Sequence, residues 1–282
     1  MKIGVSGASG HLGQAVVAEL LQRDGSHGVV GISRTPQSIR GPAEGRFGDN
    51  DTPSTPERAY EGLDRLLLIP SAELRSGVRG RQLQGAIDAA IKAGVKHLFF
   101  ISAAGTHHAV APALGEAFWT AEQHLIRTSP VWTILRMNYY AESMADEIKM
   151  GLGRGVLAGL GDERVAYVSR NDLAAAAAGA LLGEGHQGAI YNVTGPAVVT
   201  GPERAAIVSA IVGKPVNFIT ITVEQLRSGL AQAGLPEVIL DAMTEIKTNF
   251  VKGKLDIVTG DTERLSGRSP KTLRDILAAR LA

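Results

Sequence analysis

"VSGASGHLGQAVVAELL", residues Val5 to Leu21, decides how the rest of the chain is read. Glycines stand at positions 7, 10 and 13, directly after an apolar run and directly before an amphipathic one. The spacing Gly-x-x-Gly-x-x-Gly by itself indicates no more than a tight turn. Its flanks make it more than that. A strand pattern over Lys2–Ser6 precedes it, a helix pattern over Leu12–Arg23 follows, and a second strand pattern ends at Ser33. In that setting Gly7 permits the turn, Gly10 lets a pyrophosphate approach the backbone, and Gly13 lets the helix lie close to the strand. The N-terminus of the helix adds unpaired N–H groups and a positive dipole end.

The end of the second strand is where such a unit meets the ribose of a dinucleotide. A carboxylate there accepts from the 2′-hydroxyl of NAD and repels a 2′-phosphate. This chain reads "GISRTP" instead, with Ser33 and Arg34 and no acid. A guanidinium can fork onto phosphate oxygens and stack on adenine, which favours NADP(H), with NADPH preferred over NADH.

Outward from this unit, strand and helix patterns alternate. Strands are expected at Val29–Ser33, near Arg46–Phe47, and at Arg65–Ile69, His97–Ser102, Val131–Leu135 and Ala189–Val193. Helices are expected at Thr55–Glu61, Arg75–Ala93, Glu116–Arg127, Ala141–Leu152 and Asp172–Leu182. Ser169 and Asp172 have the spacing of a capping box, as do Thr200 and Glu203. The alternation predicts an α/β fold: a Rossmann-like, doubly wound parallel sheet over residues 1–195, completed by the strand near 189–193. After Gly195 the rhythm changes. "KPVNFITIT" reads as a strand, and helices follow at Glu224–Gln232, Pro236–Val251 and Pro270–Leu281. Residues 196–282 are expected to form a smaller, mainly helical substrate lobe, joined by part of 138–168.

Composition narrows the partners. The chain has 282 residues, 29 basic and 28 acidic, so no global field attracts nucleic acid or an anionic membrane. There is no cysteine, which removes disulfides, thiolate catalysis and thiolate metal sites. His107 and His108 are adjacent in a loop without a third ligand at helical spacing, and no metal site is expected. No apolar run reaches the roughly 18 residues of a membrane span. A soluble cytoplasmic monomer or homodimer is expected.

With these residues in view, the chain resembles the NmrA-like atypical short-chain dehydrogenases/reductases, in the branch of NAD(P)H-dependent quinone oxidoreductase and triphenylmethane reductase. "GASGHLG" is similar to that branch's "GATGQLG". "FGDNDTPSTPERAYEGLDRLLLIPS", "AGVKHLFFIS", "WTILRMNYYAE", "SRNDLAAAAA" and "YNVTGP" follow in the family's order and spacing. The resemblance implies roles by position. Gly7, Ser9, Gly10, His11, Leu12 and Gly13 would hold the pyrophosphate. Ser33 and Arg34 would meet the 2′-phosphate, and Asp49 and Asn50 would flank the adenine. Ile69, Pro70 and Ser71 would run along the ribose, with Ser102, Ala103 and Ala104 at the nicotinamide ribose. Met137, Asn138, Tyr139 and Tyr140 would lie beside the nicotinamide and the substrate, with Phe118 and Trp119 also on the substrate side.

The chain departs from its relatives at the proton donor. Ordinary short-chain dehydrogenases carry Tyr-x-x-x-Lys, in which the tyrosine protonates a carbonyl. No such pair follows the fifth strand. Many NmrA-like relatives place lysine or histidine four residues before a glutamate; counted back from Glu122, that position is Phe118, which does not titrate. Tyr140 is the one nearby group able to donate a proton. The expected activity is therefore hydride transfer from NADPH to a quinone-like or other aromatic acceptor, without flavin. Two alternatives stand beside it: reduction of an activated double bond or carbonyl, and a non-catalytic NADP(H)-sensing role.

Overall fold

A computed structural model describes residues 1–23, 25–52, 54–108 and 114–281. Along the first part of the chain lie β1 (Lys2–Ser6), α1 (His11–Arg23), β2 (Gly28–Ser33), β3 (Glu44–Phe47), α2 (Ser54–Tyr60), β4 (Arg65–Leu68), α3 (Val78–Lys92), β5 (His97–Ala103), α4 (Leu114–Thr128) and β6 (Trp132–Met137). There follow α5 (Ala141–Gly151), β7 (Val156–Gly159), β8 (Arg164–Val165), α6 (Arg170–Leu182), β9 (Ala189–Val193), β10 (Val199–Thr200) and α7 (Gly201–Val212). The chain ends with β11 (Asn217–Thr220), α8 (Val223–Gln232), α9 (Glu237–Val251), α10 (Asp261–Ser266) and α11 (Leu273–Leu281).

Seven strands form one Rossmann-like sheet in the order β3-β2-β1-β4-β5-β6-β9. β1 pairs in parallel with β2 and β4, β2 with β3, and β4 with β5. The strands read as unbroken apolar runs because helices cover both faces of such a sheet. Ile3, Val5, Val30, Leu66, Leu67, Phe99 and Phe100 are all fully buried. The strand order reverses between β1 and β4, and ligands of open α/β sheets bind outside the carboxyl ends of the strands at such a switch.

The alanine run of α6 is a packing device. Ala174 to Ala178 have no exposed surface. A Cβ at Gly179 would lie 1.8 Å from the Leu265 carbonyl oxygen, so only the smallest side chain permits that approach. At the amino end of β5 the Thr133 hydroxyl donates to the His186 carbonyl at 2.6 Å and therefore accepts from Nε2 of buried His97 at 2.8 Å. Burial, reinforced by the Arg65 charge, pushes the His97 pKa down to about 4, so the ring is neutral.

Two compact units interleave along the sequence. One comprises Met1–Arg136, Arg170–Tyr191 and Glu263–Arg268; the other comprises Met137–Ser169, Asn192–Thr262 and Ser269–Ala282. The expectation is a division at residue 195 with part of 138–168 joining the smaller lobe; here 137–169 lies in the second unit, and Glu263–Arg268 lies in the first. In the second unit, Thr200 and Glu203 form the reciprocal cap expected of α7, and Thr222 with Gln225 caps α8 in the same way. β7 pairs in parallel with β11, and β8 pairs with β10 antiparallel. Helix α3 starts at Val78 rather than Arg75, because Gly77 sits in the left-handed region at φ 70° and breaks the helical run before it.

Candidate active site

The glycine turn follows β1 at the switch point. Gly7 adopts φ +79°, a conformation that disfavours any side chain, and its N–H donates to the Ile32 carbonyl. Gly13 lies so close to the turn that a Cβ there would come within 2.2 Å of the Gly7 oxygen. Gly10 is different. A Cβ at Gly10 would meet only the Gly7 oxygen, at the ordinary distance of 3.4 Å, and its φ is not positive. Neither backbone strain nor crowding inside the protein calls for glycine at position 10. Gly10 and His11 are exposed, Ser9 is half-buried, and Leu12 is buried beneath the first turn of α1.

The ends of β2 and β3 come together beside this turn. The Ser33 carbonyl accepts from Gly48 N–H at 3.1 Å, which sets Asp49 and Asn50 next to the end of β2. Asp49 is fixed through Thr55, whose hydroxyl accepts from the Asp49 N–H at 2.9 Å. The buried Ser33 hydroxyl accepts from the Thr35 N–H. Arg34 is exposed, and no hydrogen bond or ion pair engages its guanidinium among the described residues.

Ile69 follows β4 and touches the glycine turn: the position of a Gly7 Cβ lies 3.3 Å from its own Cβ. Pro70 and Ser71 continue along that edge. Ser71 donates to Gln82 at 2.6 Å, and Gln82 donates to Asp51 at 2.7 Å, tying this segment to the one after Asn50. Ser102, at the end of β5, has no exposed surface, and its hydroxyl has no partner. Ala103 and Ala104 follow, half-buried, with the Ala103 carbonyl accepting from the Thr106 hydroxyl. Among the described residues, one other buried side-chain polar atom is unpartnered: Nε of Arg79, in the first turn of α3.

On α4, Phe118 is buried and Trp119 is half-buried. Glu122, one turn further on, is fully buried but engaged. Arg136 donates to both of its oxygens, at 2.9 and 2.6 Å. The hydrogen bonds to Glu122 hold the Arg136 pKa above its usual value.

Met137, Asn138, Tyr139 and Tyr140 lie in the second unit, among partners distant in the sequence. Asn138 is buried and locks the chain after β6. Its amide donates to the Leu255 carbonyl at 2.9 Å, and its carbonyl accepts from the Tyr139 N–H at 2.7 Å. The Tyr139 hydroxyl donates to Glu147, which also accepts from the buried Lys247 ammonium at 2.6 Å. The Tyr139 ring meets Phe250 edge-on at 5.1 Å and Tyr167 at 6.3 Å. Tyr140 is the N-cap residue of α5, and its carbonyl accepts from Met144 N–H.

A nicotinamide dinucleotide fits what the first unit leaves open. The turn keeps a glycine that the protein itself does not require. A buried serine hydroxyl lacks a partner, and an exposed arginine stands where a 2′-phosphate would be met. The group would supply hydride at its nicotinamide ring. Gly7 to Gly13 would hold its pyrophosphate through backbone N–H groups and Arg34 its phosphate, with the strand end that carries Ser102 beside its ribose.

Fold and edge together define an NAD(P)H-dependent oxidoreductase of the Rossmann type. The chain belongs to the NAD(P)H-binding family, whose model it matches over residues 7–183, and within it to the NmrA-like quinone reductase branch. It is 31% identical over 280 residues to quinone oxidoreductase 2 of Escherichia coli K12, covering 97% of this chain and 96% of that one. The NADPH-dependent quinone oxidoreductase of Escherichia coli, solved with NADPH, superposes with a TM-score of 0.92 at 28% identity, over 99% of this chain and 100% of that one. The triphenylmethane reductase of Citrobacter sp., solved with NADP(H), gives 0.91 at 28% identity over 99% of each chain. No described helix is long and apolar enough to cross a membrane.

Proposed function

We propose that the chain transfers hydride from NADPH directly to a quinone-like or other aromatic acceptor, without flavin. The observation that carries this reading is the state of α4. Phe118 is buried and does not titrate, and the nearby carboxylate of Glu122 is closed by two hydrogen bonds from Arg136. Phe118 has no proton to donate, and both oxygens of Glu122 are already taken up by Arg136. Acceptors whose charge spreads over a conjugated ring system need little help from an acid; positioning and exclusion of water then do most of the work. The similarity to a quinone oxidoreductase and a triphenylmethane reductase points to the same acceptor chemistry. In this reading Phe118, Trp119, Tyr139 and Tyr140 are the acceptor-side residues, and Arg34 gives the preference for NADPH.

The test mixes the protein with NADPH and a panel of quinones and triphenylmethane dyes, with no flavin added. NADPH deuterated at the transferred position should leave deuterium on the central carbon of the leuco dye. Absence of label there, or a requirement for flavin, overturns direct transfer. Tyr140→Phe separates positioning from acid catalysis. The expected outcome is a kcat for quinone near that of the unmodified protein with a changed KM. A fall of about 10²–10⁴-fold would make Tyr140 a general acid.

A further inference from the structure

Arg79 is a buried cation without an anion. It lies in the first turn of α3, at the carboxyl edge of the sheet, and only 8% of its surface is exposed. Its Nε has no partner, and the guanidinium makes no hydrogen bond or ion pair among the described residues. Among the described residues, its guanidinium carbon lies over the face of the Phe118 ring, 5.5 Å from the centroid. Such a contact returns only part of what it costs to desolvate an ion. Burial pulls the Arg79 pKa down, and the more distant Glu73 charge opposes this only in part. Every other buried arginine or lysine named above is bonded to a carboxylate. Arg65 is bonded to two backbone carbonyls as well as to Glu184.

We propose that Arg79 is a catalytic cation whose missing partner is an oxygen of the bound acceptor, and that it stabilises the negative charge this oxygen acquires during reduction. The proposal rests on the hydride-transfer reading above. A neutral quinone that accepts hydride gains one new O–H or C–H bond and two electrons, while NADPH is oxidised to NADP⁺. The negative charge resides on a quinone oxygen until water supplies the proton that completes the hydroquinone. A guanidinium already desolvated and held against an aromatic face can meet that charge through its terminal Nη atoms, its Nε being enclosed. Phe118 then has a role that does not depend on titration: its ring holds the cation in place. The cofactor's own anions have other candidate partners in the glycine turn and Arg34. A cationic triphenylmethane dye behaves in the opposite sense to a quinone, because hydride cancels its charge and no oxyanion forms.

Two acceptors of opposite charge behaviour supply the test. Arg79→Met should lower kcat/KM for a neutral quinone by about 10²–10³-fold, the effect of removing one preorganised oxyanion donor. Reduction of the cationic dye should hold or rise, because a cation facing the acceptor disfavours a cationic dye; the Kd for NADPH should stay near its unmodified value, and Arg79→Lys should recover part of the quinone activity. Equal losses with both acceptors would make Arg79 a packing residue, and weakened NADPH binding would assign it to the cofactor; either result overturns the proposal. A second readout needs no turnover. 4-Nitrophenol titrated onto the NADP⁺-loaded protein should show by absorbance a pKa lowered by about one unit or more, with the shift lost in Arg79→Met. An unshifted phenol on the unmodified protein overturns the proposal even if NADPH is oxidised normally. If neither acceptor is reduced but the phenol shift is present, the hydride-transfer reading fails while the anion site at Arg79 stands.

Discussion

Arg204 and Arg79 are both buried arginines, and the protein treats them in opposite ways. In the second unit Arg204 is 2% exposed and donates to Tyr167 and to Glu163, each at 2.8 Å. Burial opposes its charge, but Tyr167 and Glu163 outweigh that and hold its pKa above the usual value. Glu163 also accepts from Leu160 N–H, so the cluster closes on itself. Glu147, Lys247 and Tyr139 close in the same way. At the carboxyl edge of the first unit, Arg79 Nε and the Ser102 hydroxyl are buried without a partner. A buried polar atom without a partner costs about 1–3 kcal/mol, more when charged, so a native structure tolerates it where a ligand completes it. Closed clusters have their polar groups satisfied by the protein, whatever a ring such as that of Tyr139 also faces; unpartnered groups mark where to look for the ligand.

The glycines divide along the same line and carry the largest expected effect. Gly10→Val should abolish NADPH binding in a fluorescence titration while the protein stays folded, because a side chain there meets no crowding within the protein. The stability cost should be near 1 kcal/mol, that of a poor N-cap residue. Gly13→Val should instead fail to fold, since its Cβ lies 2.2 Å from the Gly7 oxygen. A Gly10→Val variant that binds NADPH normally would move the phosphate cradle elsewhere.

Breaking a closed cluster should come next. Arg204→Met leaves the Glu163 carboxylate fully buried and unpaired, and should cost about 3–5 kcal/mol in urea unfolding. Adding Glu163→Leu should recover much of that loss, because the stranded charge goes with it. If Arg79→Met were as destabilising as Arg204→Met, the distinction between open and closed arginines would fail.

His97 tests a neutral group in a closed cluster. Its folded pKa of about 4 lies below the ordinary value of 6.5, so the unfolded chain binds the proton more readily. The contribution is fully present above pH 6.5 and is lost as pH falls toward 4, by at most about 3 kcal/mol. Unfolding free energies measured across that window should decline toward acid, and His97→Gln should flatten the decline. An unchanged slope would mean that the ring is not held neutral.

The cradle was legible in sequence because its signal is local. Val5 to Leu21 contains strand, turn and helix within one window, and β1, β2, β4 and β5 were read to within a residue or two from their unbroken apolar runs. The alanine run was read as α6 for the same reason. β7, β8 and β10 were not legible, being four, two and two residues long, too short for any periodicity. α10 was missed because its six residues, "DTERLS", carry no helical apolar stripe. In the site, Glu147 and Lys247 stand 100 residues apart, and no spacing rule connects them. In the sequence Arg79 is one member of a basic run, Arg75, Arg79 and Arg81, of the kind that commonly forms a solvated face. Arg75 fits that reading, paired with Glu73 and exposed. Arg79 does not, because which residue of a helix's first turn points inward depends on where the helix begins, and Gly77 moved that start to Val78.

The smallest expected effect concerns an open arginine that is not buried. Arg34 is exposed, so its charge is already solvated, and losing it should leave the fold unchanged. Its contribution appears only when a phosphate arrives. Ser33 and Arg34 follow a strand end that carries no carboxylate, and the bond from Gly48 to Ser33 holds the Asp49–Asn50 segment alongside. Arg34→Ala should weaken NADPH by about 1.5–3 kcal/mol, the range for a hydrogen bond to a charged group, and leave NADH nearly unaffected. Because the contact is solvent-exposed, the effect should shrink as salt rises from low to physiological concentration. The same substitution at Arg79 should do the reverse, sparing NADPH and changing the acceptor. If Arg34→Ala weakens both cofactors equally, Arg34 contacts the shared adenosine rather than the 2′-phosphate, and the NADPH preference has to come from another residue.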